Sequence, residues 1–216
     1  MIKVNSSARP IHFMQNNDSL LLIFVKHPKP GQVKTRLAAD IGDDKALAIY
    51  QRLLIYTRDV VNQITVDKAI FYGNTIPEHD LWAEMDYPRI QQEGKDLGIR
   101  MENAFQWGFS QGYRKIVIIG SDCAELTPDI LNHAFDALSD HFAVIGPAKD
   151  GGYYLLGMQK LISPVFYHKN WSTDTVFADT IKDLEYGSFS YLTLPILSDI
   201  DAVDDLKGTF LESEFL

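Results

Sequence analysis

The feature that most constrains the fold of this chain is a series of short, continuous apolar runs, each followed by a polar turn. Leu20–Lys26 has the sequence LLLIFVK, Lys115–Gly120 has KIVIIG, and Phe142–Ala148 has FAVIGPA. Apolar runs of this length without polar alternation are typical of strands buried on both faces of a sheet. Four further segments complete a predicted series of seven strands: 69–73, 89–92, 152–158 and 190–195.

Segments with helical spacing of their apolar residues lie between these strands. The predicted helices are 43–64, 96–111, 127–139, 174–186 and 203–216. Alternating strands and helices predict an α/β fold, with a mostly parallel central sheet and helices on both faces. Residues 1–18 are polar and aperiodic, which predicts a loosely held leader. Residues 19–216 are then expected to form one domain, long enough to bury a full core.

The composition argues against several classes of protein. No apolar run approaches the roughly 18 residues of a membrane span, and residues 1–18 lack the apolar region of a secretory signal. The single cysteine, Cys123, cannot form an intrachain disulfide, so a reducing, cytoplasmic location is expected. Twenty basic residues against 29 acidic ones give a net charge of −9, which argues against a nucleic-acid partner.

The charge is unevenly distributed, and its basic part follows the first predicted strand. No acid occurs between residues 19 and 39, where Lys26, Lys34 and Arg36 are basic. Gly31 allows backbone amides to approach an anion, and the basic side chains supply donors and charge. We predict a phosphate-binding loop, although the spacing is not that of a Walker A motif. The alternative is a basic turn exposed to solvent.

Two aspartates follow predicted strands and are candidate metal ligands. Asp122 lies just beyond Lys115–Gly120, with Ser121 between them, and a carboxylate there is costly unless it has partners or a metal. Asp201 alternates with Asp199 in an extended stretch, so the two carboxylates share a face and repel each other without a cation. Oxygen ligands of this kind suit Mg²⁺ or Mn²⁺. The alternative for Asp122 is helix capping, but Thr127 already occupies that position.

The turn before the sixth predicted strand is the candidate substrate site. Gly151 and Gly152 permit close approach of a ligand, and Tyr153 is placed to stack on a base or sugar. Asp150 is the candidate catalytic base toward an acceptor hydroxyl, on the strength of its position beside the two glycines. The alternative is a plain turn between two strands. For Cys123 a buried structural thiol is favoured over a nucleophile.

Two further segments have ordinary structural explanations. Ser172 or Thr173 is expected to cap the following helix. Asp96 and Arg100, four residues apart on a predicted helix, are expected to form an i,i+4 pair.

Six motifs together resemble a bacterial family of GT-A-like transferases, the transferase 1 group of the radical-SAM/selenodomain-associated type. This family belongs to the nucleotide-diphospho-sugar transferase superfamily, and the chain is also similar to nucleotidylyltransferases that make molybdopterin- or phospholactate-linked dinucleotides. The motifs occur in the family's order between residues 20 and 206: FVKHPKPGQVKTRL, EGKDLGIRMENAF, GSDCAELTPDIL, GPAKDGGYYLLG, WSTDTV and DIDAVDDL. The chain departs from the family at Ala124, where a proline is usual, and Ser121–Cys123 is not a strict Asp-x-Asp.

The resemblance implies a Rossmann-like GT-A fold that binds a nucleotide through its N-terminal half. It also implies roles for the candidate residues. The phosphate contacts are Lys26, Gly31, Lys34 and Arg36, and the metal ligands are Asp122 and Asp201.

Three functions follow as hypotheses. The first is a metal-dependent glycosyltransferase that uses a nucleotide-diphospho-sugar donor and a small-molecule acceptor. The second is a nucleotidylyltransferase that joins an NTP to a phosphorylated or acidic acceptor and releases pyrophosphate. The third is a non-catalytic nucleotide-binding domain that keeps the fold.

Overall fold

One seven-stranded sheet forms the centre of the molecule in the computed structural model, which describes residues 18–215. Its order is β3-β2-β1-β4-β6-β5-β7, and among the described strands β6 is the one antiparallel to its neighbours. Nearly all of the predicted leader lies outside the described residues. The strands are β1 (Ser19–Val25), β2 (Asp67–Tyr72), β3 (Arg89–Gln91), β4 (Lys115–Ile119), β5 (Ala143–Pro147), β6 (Tyr153–Met158) and β7 (Tyr191–Thr193).

Helices cover both faces of this sheet, as predicted. Along β1, Leu21 and Ile23 pack with α2 and α4, whereas Leu20 and Leu22 pack with α3 and α5 on the other face. Both sets are fully buried, which explains the continuous apolar sequence of the strand. The helices are α1 (Thr35–Ile41), α2 (Asp43–Val61), α3 (Leu97–Ser110), α4 (Pro128–Ala137), α5 (Val176–Tyr186) and α6 (Glu212–Phe215).

Two predictions of secondary structure are wrong. Helix α1 occupies part of the predicted basic loop, and its seven residues include a single buried one, Leu37, too few to show a periodic pattern. The predicted last helix is instead a 3₁₀ turn at Val203–Leu206 and the short α6, separated by Gly208 at φ +75°. Both pieces are held by buried leucines that pack on α1 and α2, so tertiary contacts determine their path.

The predicted caps have mixed outcomes. Thr127 caps α4 as expected, with its hydroxyl accepting from the Ile130 amide at 3.3 Å. The predicted cap at Ser172 or Thr173 is wrong, because α5 begins only after Thr175 and has no side-chain cap.

The predicted pair of Asp96 and Arg100 is also wrong. Asp96 caps α3 by accepting from the Ile99 amide at 2.9 Å, and Arg100 Nε donates to the Gly94 carbonyl at 3.1 Å. The carboxylate is therefore used by the backbone, and the guanidinium turns elsewhere.

The sheet places the loops that follow β1 and β4 side by side. The two strands are parallel neighbours in register, with Ile23 opposite Ile119. In open α/β sheets, ligands bind beyond the carboxyl ends of such strands. Within residues 18–215, no helix combines the length and the apolar composition that crossing a bilayer requires.

Candidate active site

A cavity of about 530 Å³ opens at this edge of the sheet. Its volume lies within the range of about 300–1,000 Å³ that is usual for small-molecule sites. Eight of the ten predicted site residues line it: Lys26, Lys34, Arg36, Asp122, Asp150, Gly152, Tyr153 and Asp201. Gly31 and Gly151 do not. The structure therefore brings together segments that are far apart in the sequence.

The Lys34 side chain lies at the centre of the charged part of the cavity. Its Nζ is 2.6 Å from Asp122 Oδ1, 2.6 Å from the Ile200 carbonyl oxygen and 3.5 Å from Asp201 Oδ1. Burial by itself would lower the pKa of Lys34, but the charge and hydrogen bond of Asp122 raise the pKa above its usual value. Lys34 is therefore a buried cation that joins the two predicted metal ligands.

The backbone after β1 is shaped so that Lys34 points inward. Lys34 has a left-handed conformation, φ 49°, at the start of α1, and its carbonyl accepts from the Ala38 amide at 2.8 Å. At the start of the loop, the His27 amide donates to Asn74 Oδ1 at 2.6 Å, and Asn74 Nδ2 donates to the His27 carbonyl at 3.2 Å. These contacts fix the loop at both ends, while Gly31 at φ +70° lies in the exposed turn between them.

Tyr50, on α2, connects the two loops, and the sequence analysis did not identify it. Its hydroxyl accepts from the Lys26 amide at 2.9 Å and lies 3.2 Å from Ser121 Oγ. Burial raises the pKa of Tyr50 and the nearby charge of Asp122 raises it further, so the phenol stays neutral. In sequence it is one more helical aromatic residue, with no signal of its role.

The C-terminal segment brings Asp201 to the end of β4. The Ile200 amide donates to the Asp122 carbonyl at 2.9 Å, and Cys123 pairs with Asp199 as an antiparallel bridge. Asp205 Oδ2 accepts from the amides of Asp201 and Ala202, at 2.9 and 2.7 Å. Asp205 thus caps the short turn at Val203–Leu206.

Asp199 adds a further carboxylate to the cavity lining. Burial raises its pKa, and the charge of Asp122 adds to this, so that the value reaches about 7 although Lys34 opposes the shift. Four carboxylates line the cavity: Asp122, Asp150, Asp199 and Asp201. They face two basic side chains paired with them, Lys34 and Arg36. Two further basic side chains, Lys26 and Arg100, also line the cavity.

The oxygen atoms around Lys34 fit a hard cation. Asp122, Asp201 and the Ile200 carbonyl converge on one ammonium nitrogen, and such oxygen ligands are those that Mg²⁺ and Mn²⁺ prefer. In the part of the chain that the structure describes, no three His, Cys, Asp or Glu side chains are close enough to hold a metal by themselves. A metal would therefore rely on two carboxylates, with the ammonium displaced.

The Asp150 turn is shaped partly by packing. Asp150 Oδ1 accepts from the Gly152 amide at 2.8 Å. Gly151 has φ +87°, and a Cβ there would lie 2.1 Å from the carbonyl oxygen of Asp174. Its close approach is thus to the chain before α5 rather than to a ligand, which corrects the expected reason for this glycine. Tyr153 packs against α3, with its hydroxyl 3.8 Å from Met101 Sδ.

Cys123 has the environment of a structural thiol. It is buried, and burial raises the pKa of the thiol to about 12, with the charge of Asp199 adding to the shift. The thiolate that a nucleophile requires is therefore scarce at neutral pH.

Further residues of the cavity lining come from α3 and from the chain before α5: Leu97, Arg100, Met101, Trp171, Ser172 and Thr173. The sequence pattern predicted an ion pair for Arg100 and a cap for Ser172 or Thr173. The motif WSTDTV already carried a signal, since it is one of the six on which the family resemblance rests.

Comparison with known proteins places this site in a family. Residues 56–173 match the family model DUF2064, described as uncharacterized proteins conserved in bacteria. The chain belongs to the DUF2064 family. A candidate nucleotide-diphospho-sugar transferase from Desulfovibrio desulfuricans G20 is 32% identical, with a TM-score of 0.82 over 91% of this chain and 90% of that one. The curated protein sequences include no match.

More distant solved structures share the fold. The inositol-1-phosphate CTP transferase from T. maritima is 14% identical, with a TM-score of 0.56 over 88% of this DUF2064 chain and 91% of that chain. A manganese complex of Rv0371C from Mycobacterium tuberculosis is 12% identical, with a TM-score of 0.51 over 88% and 96%. These findings confirm the predicted GT-A-like fold, the resemblance to the nucleotide-diphospho-sugar transferase type and the assignment as a transferase that uses a nucleotide.

Proposed function

We propose that this DUF2064 protein is a metal-dependent glycosyltransferase that takes a nucleotide-diphospho-sugar as its donor. The observation that carries the proposal is the convergence of Lys34, Asp122 and Asp201 at the carboxyl ends of β1 and β4. These groups lie inside a cavity large enough for a nucleotide-sugar, and the 32%-identical relative is named for this chemistry.

The donor diphosphate is proposed to bind to the loop after β1. Lys26 and Arg36 line the cavity with exposed side chains, and that of Arg36 is 73% exposed. Both are therefore available to an anion, and a guanidinium binds phosphate in a bidentate manner. The Lys34 ammonium is engaged by three oxygens, so it would be free to contact the phosphates if a bound cation took its place among those oxygens. Gly31 sets the turn between these residues.

A divalent cation, Mg²⁺ or Mn²⁺, is proposed to bind to Asp122 and Asp201. When bound, it supplies positive charge opposite the departing diphosphate, where charge develops in the transition state. The manganese complex of the distant Rv0371C structure supports this choice of ion by likeness of fold. The chain's own contribution is to hold the two carboxylates on one point, through the contacts between the Asp122 backbone and the C-terminal segment.

Asp150 is proposed to accept the proton of the acceptor hydroxyl. The Gly152 amide holds Oδ1, which leaves Oδ2 for the proton. Gly151 locks the turn against the chain before α5, and Gly152 and Tyr153 line the cavity beside the carboxylate. The cytoplasmic location and the single domain from residue 19 onward remain predictions from the sequence.

Nucleotidyl transfer is the second candidate, favoured by one observation at the metal site. The segment Ser121–Cys123 contributes one carboxylate, and the second comes from Asp201, about 80 residues later. The segment therefore lacks the strict Asp-x-Asp of a standard glycosyltransferase metal site, and two distant carboxylates agree with the resemblance to nucleotidylyltransferases. In this chemistry the basic loop holds the triphosphate of an NTP, the acceptor is phosphorylated or acidic, and pyrophosphate is released.

The test is a thermal-shift screen of NTPs and nucleotide-sugars with and without Mg²⁺ or Mn²⁺. A ligand at 100 times its dissociation constant stabilises the fold by about 2.7 kcal/mol. We expect a metal-dependent shift with a nucleotide-sugar, and its loss in Asp122→Asn and Asp201→Asn. The exposed Asp140, on the far side of α4, provides the matched control Asp140→Asn, which should keep the full shift.

An assay of pyrophosphate release, with the nucleotides that give a shift, separates the two reactions. Release of pyrophosphate from an NTP in the presence of cell extract metabolites identifies nucleotidyl transfer and overturns glycosyl transfer. Absence of any shift, with every nucleotide and both metals, overturns both.

A further inference from the structure

One half of the cavity, formed by α3, the start of β6 and the chain before α5, carries several apolar side chains and is not used by the proposed metal and phosphate contacts. Leu97, Met101, Tyr153 and Trp171 line it. Leu97 is 43% exposed at the start of α3, so its apolar side chain is accessible to a ligand in the cavity. An apolar wall opposite a polar one is typical of a site that receives a ligand with two chemically different ends.

The indole of Trp171 is seated on the first turn of α3. A Cβ at Gly98 would lie 2.4 Å from Cζ2 and 2.7 Å from Cε2 of Trp171, so this seat exists because residue 98 has no side chain. The next residue, Ser172, has φ 67°, a conformation that residues other than glycine rarely adopt. The Trp171 indole is therefore packed against Gly98 at the wall of the cavity.

The Trp171 segment is attached to the turn that carries Asp150. The Phe177 amide donates to the Gly151 carbonyl at 2.9 Å, and Gly151 approaches Asp174 so closely that no Cβ fits between them. The segment is therefore fixed relative to the proposed proton acceptor, not to the basic loop. A group stacked on Trp171 belongs to the acceptor half of the site.

Arg100 adds an anion-binding group to this half. It lines the cavity, and its Nε donates to the Gly94 carbonyl. Within residues 18–215 it has no ion pair with a carboxylate, since Asp96 caps α3 instead. A guanidinium in this setting is suited to a carboxylate or phosphate, which it binds through paired hydrogen bonds.

We infer that this half is an acceptor subsite for a molecule that carries a flat apolar ring and, next to it, a phosphate or carboxylate. The ring stacks on Trp171 between Leu97 and Met101, and the acidic group pairs with Arg100. The assignment of this half to the acceptor substrate rests on the proposed function, but binding of a ligand to the subsite does not require any reaction.

Phenyl phosphate is the probe, and intrinsic fluorescence is the readout. The chain has three tryptophans, of which Trp82 and Trp107 are 1% and 7% exposed, so quenching by a stacked ring reports on Trp171. We expect saturable quenching by phenyl phosphate and none by inorganic phosphate. Arg100→Gln should weaken phenyl phosphate binding at least tenfold, and Tyr186→Ala, at an aromatic residue that is 96% exposed, should not change it.

Three results would overturn the subsite. The first is the absence of saturable quenching, and the second is quenching of equal affinity in Arg100→Gln. The third is a tenfold loss of nucleotide-sugar affinity in Arg100→Gln, which would assign this half to the donor. Lys26→Gln separates the two proposals, because it should weaken nucleotide binding and leave phenyl phosphate quenching intact. If no nucleotide binds to the wild type, the proposed function fails while the quenching still tests the subsite.

Discussion

At the scale of single residues, the site is dominated by a surplus of carboxylates around one buried lysine. Asp122 is the carboxylate nearer to Lys34, with Oδ1 2.6 Å from Nζ. The Asp201 carboxylate lies 3.5 Å from Lys34 Nζ and 3.5 Å from Arg36 Nη1. Asp199 is left among like charges, with a pKa raised to about 7 mainly by burial. Ionisation of the Asp199 carboxyl group therefore lowers the free energy of unfolding.

The pH dependence of stability tests this description of Asp199. An unfolded aspartate has a pKa of about 3.9, so between about pH 4 and pH 7 the native state holds a proton that the unfolded chain releases. The free energy of unfolding of the wild type therefore falls as pH rises through this window. In Asp199→Asn this fall is absent, so the variant should be more stable than the wild type at pH 8, by on the order of 1–3 kcal/mol.

Urea unfolding at pH 5 and pH 8, in buffer with a chelator, measures the difference. Asp140→Asn is the control, because Asp140 is exposed, and it should follow the wild type at both pH values. Identical pH dependence of wild type and Asp199→Asn would contradict the assignment.

At the scale of elements, connections rather than strands and helices form the site. The turn before β6 and the chain before α5 approach so closely at Gly151 and Asp174 that they behave as one unit. The carboxylate of Asp150, which is the proposed proton acceptor, and the Trp171 wall are thereby held in a fixed relative position by their backbones.

Gly151→Ala tests this unit. The change forces a left-handed conformation on alanine and a clash with the Asp174 backbone, so we expect a loss of about 3 kcal/mol or more in the free energy of unfolding. Gly112→Ala is the matched control: Gly112 has φ +94° with no atom within 4 Å of its added Cβ, so it should lose about 1 kcal/mol. Chemical denaturation measures both. Equal losses in the two variants would show that the contact with Asp174 contributes nothing.

At the scale of the whole molecule, the C-terminal segment packs beside the loop after β1, so that Asp201 lines the same cavity as Lys26 and Lys34. Leu206 and Leu211 are fully buried against α1 and α2, and Arg52 on α2 holds Glu214 through two hydrogen bonds, at 2.7 and 2.6 Å. This packing carries Asp201 to the end of β4. The stability of the segment and the geometry of the site are therefore linked.

Leu206→Ala should reveal the link. Removing this side chain leaves a cavity beneath the 3₁₀ turn, and a loss of about 2–5 kcal/mol is expected. The metal-dependent nucleotide shift should fall with it, because the turn positions Asp201. Ile196→Ala, at a residue 63% exposed, should change stability by less than about 0.5 kcal/mol and keep the shift. A destabilised Leu206→Ala protein with a full nucleotide shift would contradict the link.

The sequence by itself determined the elements whose burial leaves a continuous pattern. The central strands, the four longer helices and the Thr127 cap follow from local apolar runs, helical spacing and capping chemistry, and the ordered motifs indicated the family. Because ligands bind beyond strand ends, most of the predicted site residues also line the cavity.

The tertiary structure alone decided what those residues touch. Three features depend on contacts between distant segments. Lys34 bridges Asp122 and Asp201, Gly151 allows the close approach of the Asp174 backbone, and Trp171 forms part of the cavity wall. Short pieces such as α1 and the broken C-terminal helix have too few buried residues to leave a periodic pattern. Local chemistry therefore predicts the elements, whereas the pairing of charges and the path of the connections depend on which segments the folded chain places side by side.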